Sequence, residues 1–278
     1  MLLTLGTACS PEDEGGSDAL AQIEVGGEFG AVPQVSFPTP LQASQTATRT
    51  VIEGDGPALQ DGDVALISYI AISARTGETI EDNFDTQPQT MRVSKEDAGP
   101  LYSELVGAKE GTRLVRVELG TADHPDPVVL VYDLMHTRAW GTPVDPPEDA
   151  PDVSVADSGE PTITIPDHDP PTDLQIVSLR RGDGAQVASG MAVTVRYTAV
   201  SWSSGEVVDT TWKQGQGPAT IAFTGLIKGW QNGLVDARVG SQVMLVVPPE
   251  QAFGEDTLVY VIDVLSLSPL TGTEGSGQ

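Results

Sequence analysis

The sequence predicts an α+β chain of two related domains, and three observations carry that reading. Strand-like segments at 191–200, 219–223, 242–248 and 257–265 flank one short helical pattern. In that pattern Trp230, Leu234 and Ala237 recur at i, i+4 and i+7. The upstream half repeats the same landmarks at one spacing of about 128 positions. The composition, with 30 Gly, 21 Pro and only 39% hydrophobic residues in 278, fits compact units joined by irregular chain. A lone short helix buries its apolar face by lying across an antiparallel sheet, which gives each unit one helix and one sheet.

The opening residues, MLLTLGTAC, run from apolar to small to Cys9. They resemble the end of a signal peptide at a bacterial lipoprotein cleavage site, with Gly6-Thr7-Ala8 before the cysteine. No Lys or Arg precedes Arg49 and the apolar run is short, as a start codon placed too far downstream would leave it. Residues 1–9 therefore read as a signal remnant, with lipidation expected at Cys9. Such an anchor holds a protein at a membrane without spanning it. Cys9 is the single cysteine, so no intrachain disulfide can form. Localisation is expected to be extracytoplasmic, on a bacterial cell membrane or secreted.

Residues 10–48 hold six acidic residues and no basic one before Arg49, and read as a flexible acidic tether. Val32 to Phe37 is a weak apolar patch within it, able to pack as an edge strand on the first domain. Residues 49–139 form that domain, with strand patterns around Val64 to Tyr69, Leu114 to Leu119 and Val128 to Leu134. Leu101, Leu105 and Ala108 mark its short helix. Residues 140–172 carry eight prolines and no Lys or Arg, and read as a semi-stiff, self-repelling linker. Asp167, Asp169 and Asp173 lack the spacing and turn glycine of a calcium loop, so no metal is expected. Residues 173–268 form the second domain, and 269–278 a disordered tail.

The repeat aligns Gly54-Asp55-Gly56 with Gly182-Asp183-Gly184, Tyr69 with Tyr197, Gly77-Glu78 with Gly205-Glu206, and Tyr132 with Tyr260. Leu101, Leu105 and Gly111 fall where Trp230, Leu234 and Gly240 fall. The formal charge of −26 argues against nucleic acid and anionic membrane surfaces as partners. The three histidines, His124, His136 and His168, lie outside the second repeat, and no nucleophile–base set is evident.

An ordered series in the second domain carries a family resemblance: VRYTAVSWSSGEVVDTT, then GLIKGWQNGL, then VGSQVMLVVPPEQAFGE, then TLVYVIDVL. Over about Leu174 to Leu267 the chain resembles an FKBP-type peptidyl-prolyl cis-trans isomerase. The resemblance implies two FKBP-like domains, each a twisted antiparallel β-sheet wrapped around one short α-helix. It implies a cleft between sheet and helix whose catalytic residues are Tyr197, Asp209, Ile227, Trp230, Phe253 and Tyr260. Trp230 matches the floor, Asp209 the acid beside the substrate carbonyl, and Ile227 the backbone N–H donor. Val208 and Leu226 match further substrate contacts, Val208 standing where the family usually has phenylalanine.

Two departures matter. Phe253 stands where the family has a tyrosine, and only Glu255 and Asp256 separate Gly254 from the last strand pattern, where a long loop usually follows. In the first domain Leu101 replaces the tryptophan, so that copy is expected to bind or space rather than catalyse. The expected substrates are proline-containing polypeptides, with no cofactor and a monomeric state. The alternative is a lipid-anchored FKBP-like peptide-binding or chaperone module with little or no isomerase activity.

Overall fold

The computed structural model describes residues 19–122, 125–213 and 215–270. Cys9, His124 and residues 271–278 of the tail lie outside them. The strands are β1 (Glu24–Gly26), β2 (Gln34–Ser36), β3 (Ala47–Ile52), β4 (Val64–Ser73), β5 (Thr79–Asp82) and β6 (Gln89–Arg92). There follow β7 (Arg113–Glu118), β8 (Val128–Met135), β9 (Thr142–Pro143), β10 (Asp152–Val155), β11 (Pro161–Thr164) and β12 (Gln175–Arg181). The last are β13 (Met191–Ser201), β14 (Val207–Thr210), β15 (Ala219–Ala222), β16 (Gln242–Val247) and β17 (Leu258–Pro269). Two α-helices lie wholly within the described residues, α1 (Tyr102–Leu105) and α2 (Lys228–Leu234).

Two antiparallel sheets dominate. The first runs β3-β7-β8-β4-β5, with β6 also on β4; the second runs β14-β13-β17-β16-β12-β9, with β15 also on β13. Each sheet has one short helix on one face, the α+β architecture expected. In both, an inner strand is the last in sequence: β8 lies between β7 and β4, and β17 between β16 and β13.

The strands form where β-branched residues alternate or run together, and the inner ones are apolar on both faces because both faces are covered. In the second sheet Val243, Leu245, Val247, Tyr260 and Ile262 face the helix, while Met244, Val246, Val259 and Val261 face the other way. The helix presses closely onto β16. A Cβ on Gly229 would lie 2.3 Å from Val247, and one on Gly233 2.4 Å from Leu245. Glycine at i and i+4 thus costs helix propensity but admits the sheet.

The duplicated glycine motif has one structural cause in both domains. The Gly54 N–H donates to Thr112 Oγ1 at 3.0 Å and the Gly182 N–H to Ser241 Oγ at 2.9 Å. A Cβ at Gly54 would sit 2.3 Å from the Glu110 carbonyl oxygen, and one at Gly182 2.2 Å from that of Val239. Only glycine fits so near a backbone.

The structure corrects three expectations. Residues 19–48 are not a loose tether over their described length. Ala19, Leu20, Ile23 and Leu41 are buried against the outer face of the first sheet, and β1 and β2 pair as a ribbon. Val35 belongs to that ribbon, and the Val32–Phe37 patch does not join the main sheet. A buried ion pair holds the segment. Arg113 meets Asp133 at 2.6 and 2.7 Å, and its remaining donors reach the carbonyls of Gly26, Gly27, Glu28 and Ala31. The acidic composition concealed this because the packing residues are few and spaced apart.

The second correction concerns residues 140–172, read as a spacer. β9 joins the second sheet, and the β10–β11 hairpin lays Ile163, with Val153 and Ile165, over the outer face around Met244, Val246 and Val259. Prolines sit at the hairpin's ends, including Pro161 opposite Val155, where missing ladder donors do no harm.

The third is a slip in the repeat. Tyr69 pairs with Tyr132, but Tyr197 pairs with Ile262; Tyr260 pairs with Ala199, whose counterpart Ala71 pairs with Leu130. Tyr132 therefore stands where Ile262 stands, and Leu130 where Tyr260 stands. The connections before the last strands differ in length, so a fixed spacing loses register there.

Candidate functional site

A single turn of sequence builds the floor. β15 ends in a 3-10 turn, Phe223–Gly225, and Leu226 and Ile227 are extended before α2 begins. The Gln231 side-chain amide donates to the Leu226 carbonyl at 2.8 Å and ties this bend to the helix. Among the described residues the Ile227 N–H has no acceptor within the chain. At the third position of α2, Trp230 faces the sheet and is only 4% exposed.

Tyr197 and Tyr260 flank the indole edge-on. Their ring centroids lie 5.0 and 5.2 Å from it, at 88° and 87°. Each tyrosine stands perpendicular to the indole in a T-shaped contact, a favoured aromatic geometry that helps fix all three rings. Above them opens a hollow of about 610 Å³, with Trp230 at its base and a mostly apolar wall. The protein's own side chains do not fill it. All eight residues picked from sequence, Tyr197, Val208, Asp209, Leu226, Ile227, Trp230, Phe253 and Tyr260, line this one hollow.

Asp209 is the polar element. Adjacent strands β13 and β14 pair Ala199 with Asp209, which brings its carboxylate beside Tyr197. The Tyr197 hydroxyl donates to Asp209 Oδ2 at 2.5 Å, and the Thr210 N–H to Oδ1 at 2.9 Å. Burial, and then the hydrogen bond to Asp209, push the Tyr197 phenol well above its ordinary range, so it remains a donor. Burial also pushes Tyr260 up to about 12, helped by the Asp209 charge. Unlike Tyr197, Tyr260 keeps its hydroxyl free of any acceptor among the described residues.

The mouth of the hollow is formed differently from the floor. Phe253 is 72% exposed at its rim and Val208 54% exposed on one wall. The short connection after Gly254 is held by Asp256. Its Oδ2 accepts from Ser201 Oγ at 2.5 Å and Ser203 Oγ at 2.9 Å, and its Oδ1 accepts from the Thr257 N–H at 2.8 Å. Burial acts to raise this carboxyl, but the hydrogen bonds from Ser201, Ser203 and Thr257 outweigh it and hold it below the usual range. A carboxylate collar thus replaces loop length in closing this side.

Glu255 and Asp256 were read from sequence only as the remnant of a loop, and Ser201 and the apolar walls Ile221 and Leu258 were not singled out. The clustered serines before an acidic pair are the one available signal for the collar. The apolar walls look like any strand residue until the register is known.

The first domain retains part of the arrangement. Its Tyr69 hydroxyl donates to Glu81 at 2.7 Å, as Tyr197 does to Asp209, and the Tyr69 phenol is pushed up to about 12 by burial and by Glu81. Asn83 accepts the Tyr69 N–H as Thr211 accepts that of Tyr197. Leu101 and Leu130 stand in place of the tryptophan and second tyrosine, leaving no indole floor. Among the described residues no group of His, Cys, Asp or Glu has the arrangement to hold a metal ion.

The comparisons with known proteins concern the second domain's end of the chain. Residues 184–264 match the family described as FKBP-type peptidyl-prolyl cis-trans isomerase. The chain is 36% identical over 116 residues to a probable FK506-binding protein of Corynebacterium glutamicum, covering 38% of this chain and 98% of that one. It is 30% identical over 120 residues to an FK506-binding protein of Streptomyces anulatus, covering 39% and 97%. It is also 32% identical over 104 residues to the peptidyl-prolyl cis-trans isomerase Mip of Coxiella burnetii, covering 34% and 44%.

Proposed function

The chain belongs to the FKBP-type peptidyl-prolyl cis-trans isomerase family, and from that premise we propose that its C-terminal domain turns over X–Pro bonds of extracytoplasmic polypeptides. The observation that carries the proposal is the unfilled hollow floored by Trp230 and edged by two tyrosines.

Amide resonance opposes rotation about the peptide C–N bond with a barrier of about 18–20 kcal/mol. Both isomers of X–Pro are populated, and exchange without a catalyst takes tens of seconds or more. No covalent bond forms, so no nucleophile is needed. The planar amide is charge-separated by resonance; the twisted one is less so. An apolar hollow therefore disfavours the planar form relative to water and binds the twisted form better. The proline ring packs on Trp230 between Tyr197 and Ile227. The Ile227 N–H, without an acceptor among the described residues, holds the carbonyl of the substrate main chain. The Asp209 charge, fixed by Tyr197, faces the rotating carbonyl carbon, and Phe253, Val208 and Leu226 enclose the flanking residue.

The missing hydroxyl at Phe253 is met from another direction. Tyr260 presents to the same hollow an O–H with no acceptor among the described residues, protonated at neutral pH, and donates to the carbonyl oxygen as it leaves conjugation. A short, pinned rim and an exposed Phe253 favour a second reading, a peptide-binding module with slow turnover. An anchor at Cys9 would keep either activity at a membrane surface; labelling with a radioactive fatty acid that Cys9→Ser abolishes is the expected result.

A protease-coupled isomerisation assay on a Pro-containing tetrapeptide tests the enzyme reading. Turnover is expected, and Trp230→Ala and Asp209→Ala should each lower it about tenfold or more, the loss of ~1.4 kcal/mol of transition-state binding. A rate equal to the uncatalysed one would leave only binding.

A further inference from the structure

Three hollows lie in series across the molecule. The cleft over Trp230 shares Tyr197 and Asp209 with a second hollow of about 320 Å³. The second shares Pro218 with a third of about 500 Å³, whose opposite wall is Tyr69, Asn83 and Gln89 of the first domain. The stretch Gly215–Pro218 that separates them lies directly on the first domain. A Cβ on Gly217 would meet Thr90 at 2.9 Å and Val64 at 3.0 Å, so the two domains touch at the foot of the trough.

The lining is mostly uncharged, with Asp209 and Lys213, both on the second hollow, as its charged members. Thr210, Thr211 and Gln216 border the second hollow, and Asn83, Gln87 and Thr90 the third. Neutral amides and hydroxyls both donate and accept, which suits the alternating N–H and C=O groups of an extended main chain and is indifferent to its side chains. In a chain of net charge −26 this trough carries one carboxylate, Asp209, matched by one lysine, Lys213. It also ends on Tyr69, bonded to Glu81, the first domain's copy of the Tyr197–Asp209 pair.

We propose that this trough holds the part of a polypeptide substrate that flanks the isomerised proline, making the first domain the holding half of the site. The proposal rests on the isomerase reading for its choice of occupant, since the trough is continuous with that cleft. A chain bound in the cleft and again on the first domain gains affinity through effective concentration, without any change in the chemical step. Short peptides that end within the cleft gain nothing.

The test compares two ligands on the full chain: a Pro-containing tetrapeptide, and a long protein kept unfolded by reduction and carboxymethylation. Gln87→Ala with Gln89→Ala removes two exposed side chains of the third hollow, and Thr90→Trp fills it. Expected is a roughly fivefold to tenfold weaker Kd for the unfolded chain in both variants, the loss of one or two neutral hydrogen bonds. Tetrapeptide kcat/KM should be unchanged. Equal Kd for the unfolded chain in wild type and both variants would overturn the proposal. Sedimentation showing a dimer that these substitutions break would assign the trough to a second copy and overturn it as well. Tetrapeptide turnover judges the isomerase reading separately, because binding of the unfolded chain is measured without it.

Discussion

At the scale of single residues, the cleft trades one phenol for another. Phe253 brings no donor, while Tyr260 brings one that meets no acceptor among the described residues, in the same hollow. Tyr260→Phe keeps the ring against Trp230 and removes only the O–H. Its kcat/KM is expected to fall about fivefold to twentyfold at constant fold stability, as for one hydrogen bond strengthened in the transition state. Phe253→Tyr should restore part of that loss in the Tyr260→Phe background. Steady-state kinetics on both variants and the double variant check this; an unchanged rate in Tyr260→Phe would remove the hydroxyl from the mechanism. Trp230 and Asp209 were legible in sequence because their neighbours come in a fixed order. The free state of the Tyr260 hydroxyl was not, since partners across strands appear only once the register is set.

Among the elements, the β10–β11 hairpin contributes most beyond its length. It lays Ile163 on the outer face of the second sheet, where Met244, Val246 and Val259 are wholly buried. Deleting residues 150–165 exposes that apolar face. A loss of about 3–5 kcal/mol is expected from two or three aliphatic side chains leaving cover. Urea unfolding of the deleted and complete chains measures it; equal midpoints would mean the hairpin merely rests on the surface. Strands β4, β7, β8, β13, β15, β16 and β17 and the two short helices were readable from periodicity, since buried faces impose period 2 or 3.6 on the residues that fill them; the shorter or more exposed β3, β5, β6, β12 and β14 were not. The covering segments were not, because acidic and Pro-rich composition dominates a window in which only Val153, Ile163 and Ile165 make the contact. Ile163 on β11 and Ile165 just beyond it do alternate with polar residues, a signal too short to outweigh its surroundings.

Across the whole molecule, one buried carboxylate ties the chain between the domains to the second sheet. Asp263 accepts the Ala139 N–H at 3.0 Å and the Gln242 amide at 2.8 Å. Burial raises it to about 6, against hydrogen bonds and distant arginines that lower it. Its folded-state value lies above its unfolded one, so its protonation stabilises the fold below the ordinary carboxylate range, and that contribution is lost as pH rises through about 6. The stability of the wild type relative to Asp263→Asn should therefore increase by about 2–3 kcal/mol as the pH falls from neutrality to ~4, by linkage. Urea melts across that range give the difference; a flat one would show Asp263 ionised as easily as in the unfolded chain.

The strand order has a consequence for how the protein is made. In each sheet an inner strand, β8 or β17, is the last to be translated. While the ribosome is still adding it, the outer strands have nothing to close upon, and the greasy faces on both sides wait unpaired. Neither half can therefore finish folding during its own elongation. Each should snap shut only after its final segment clears the exit tunnel, so a nascent chain stopped a few residues short ought to remain open to proteases throughout.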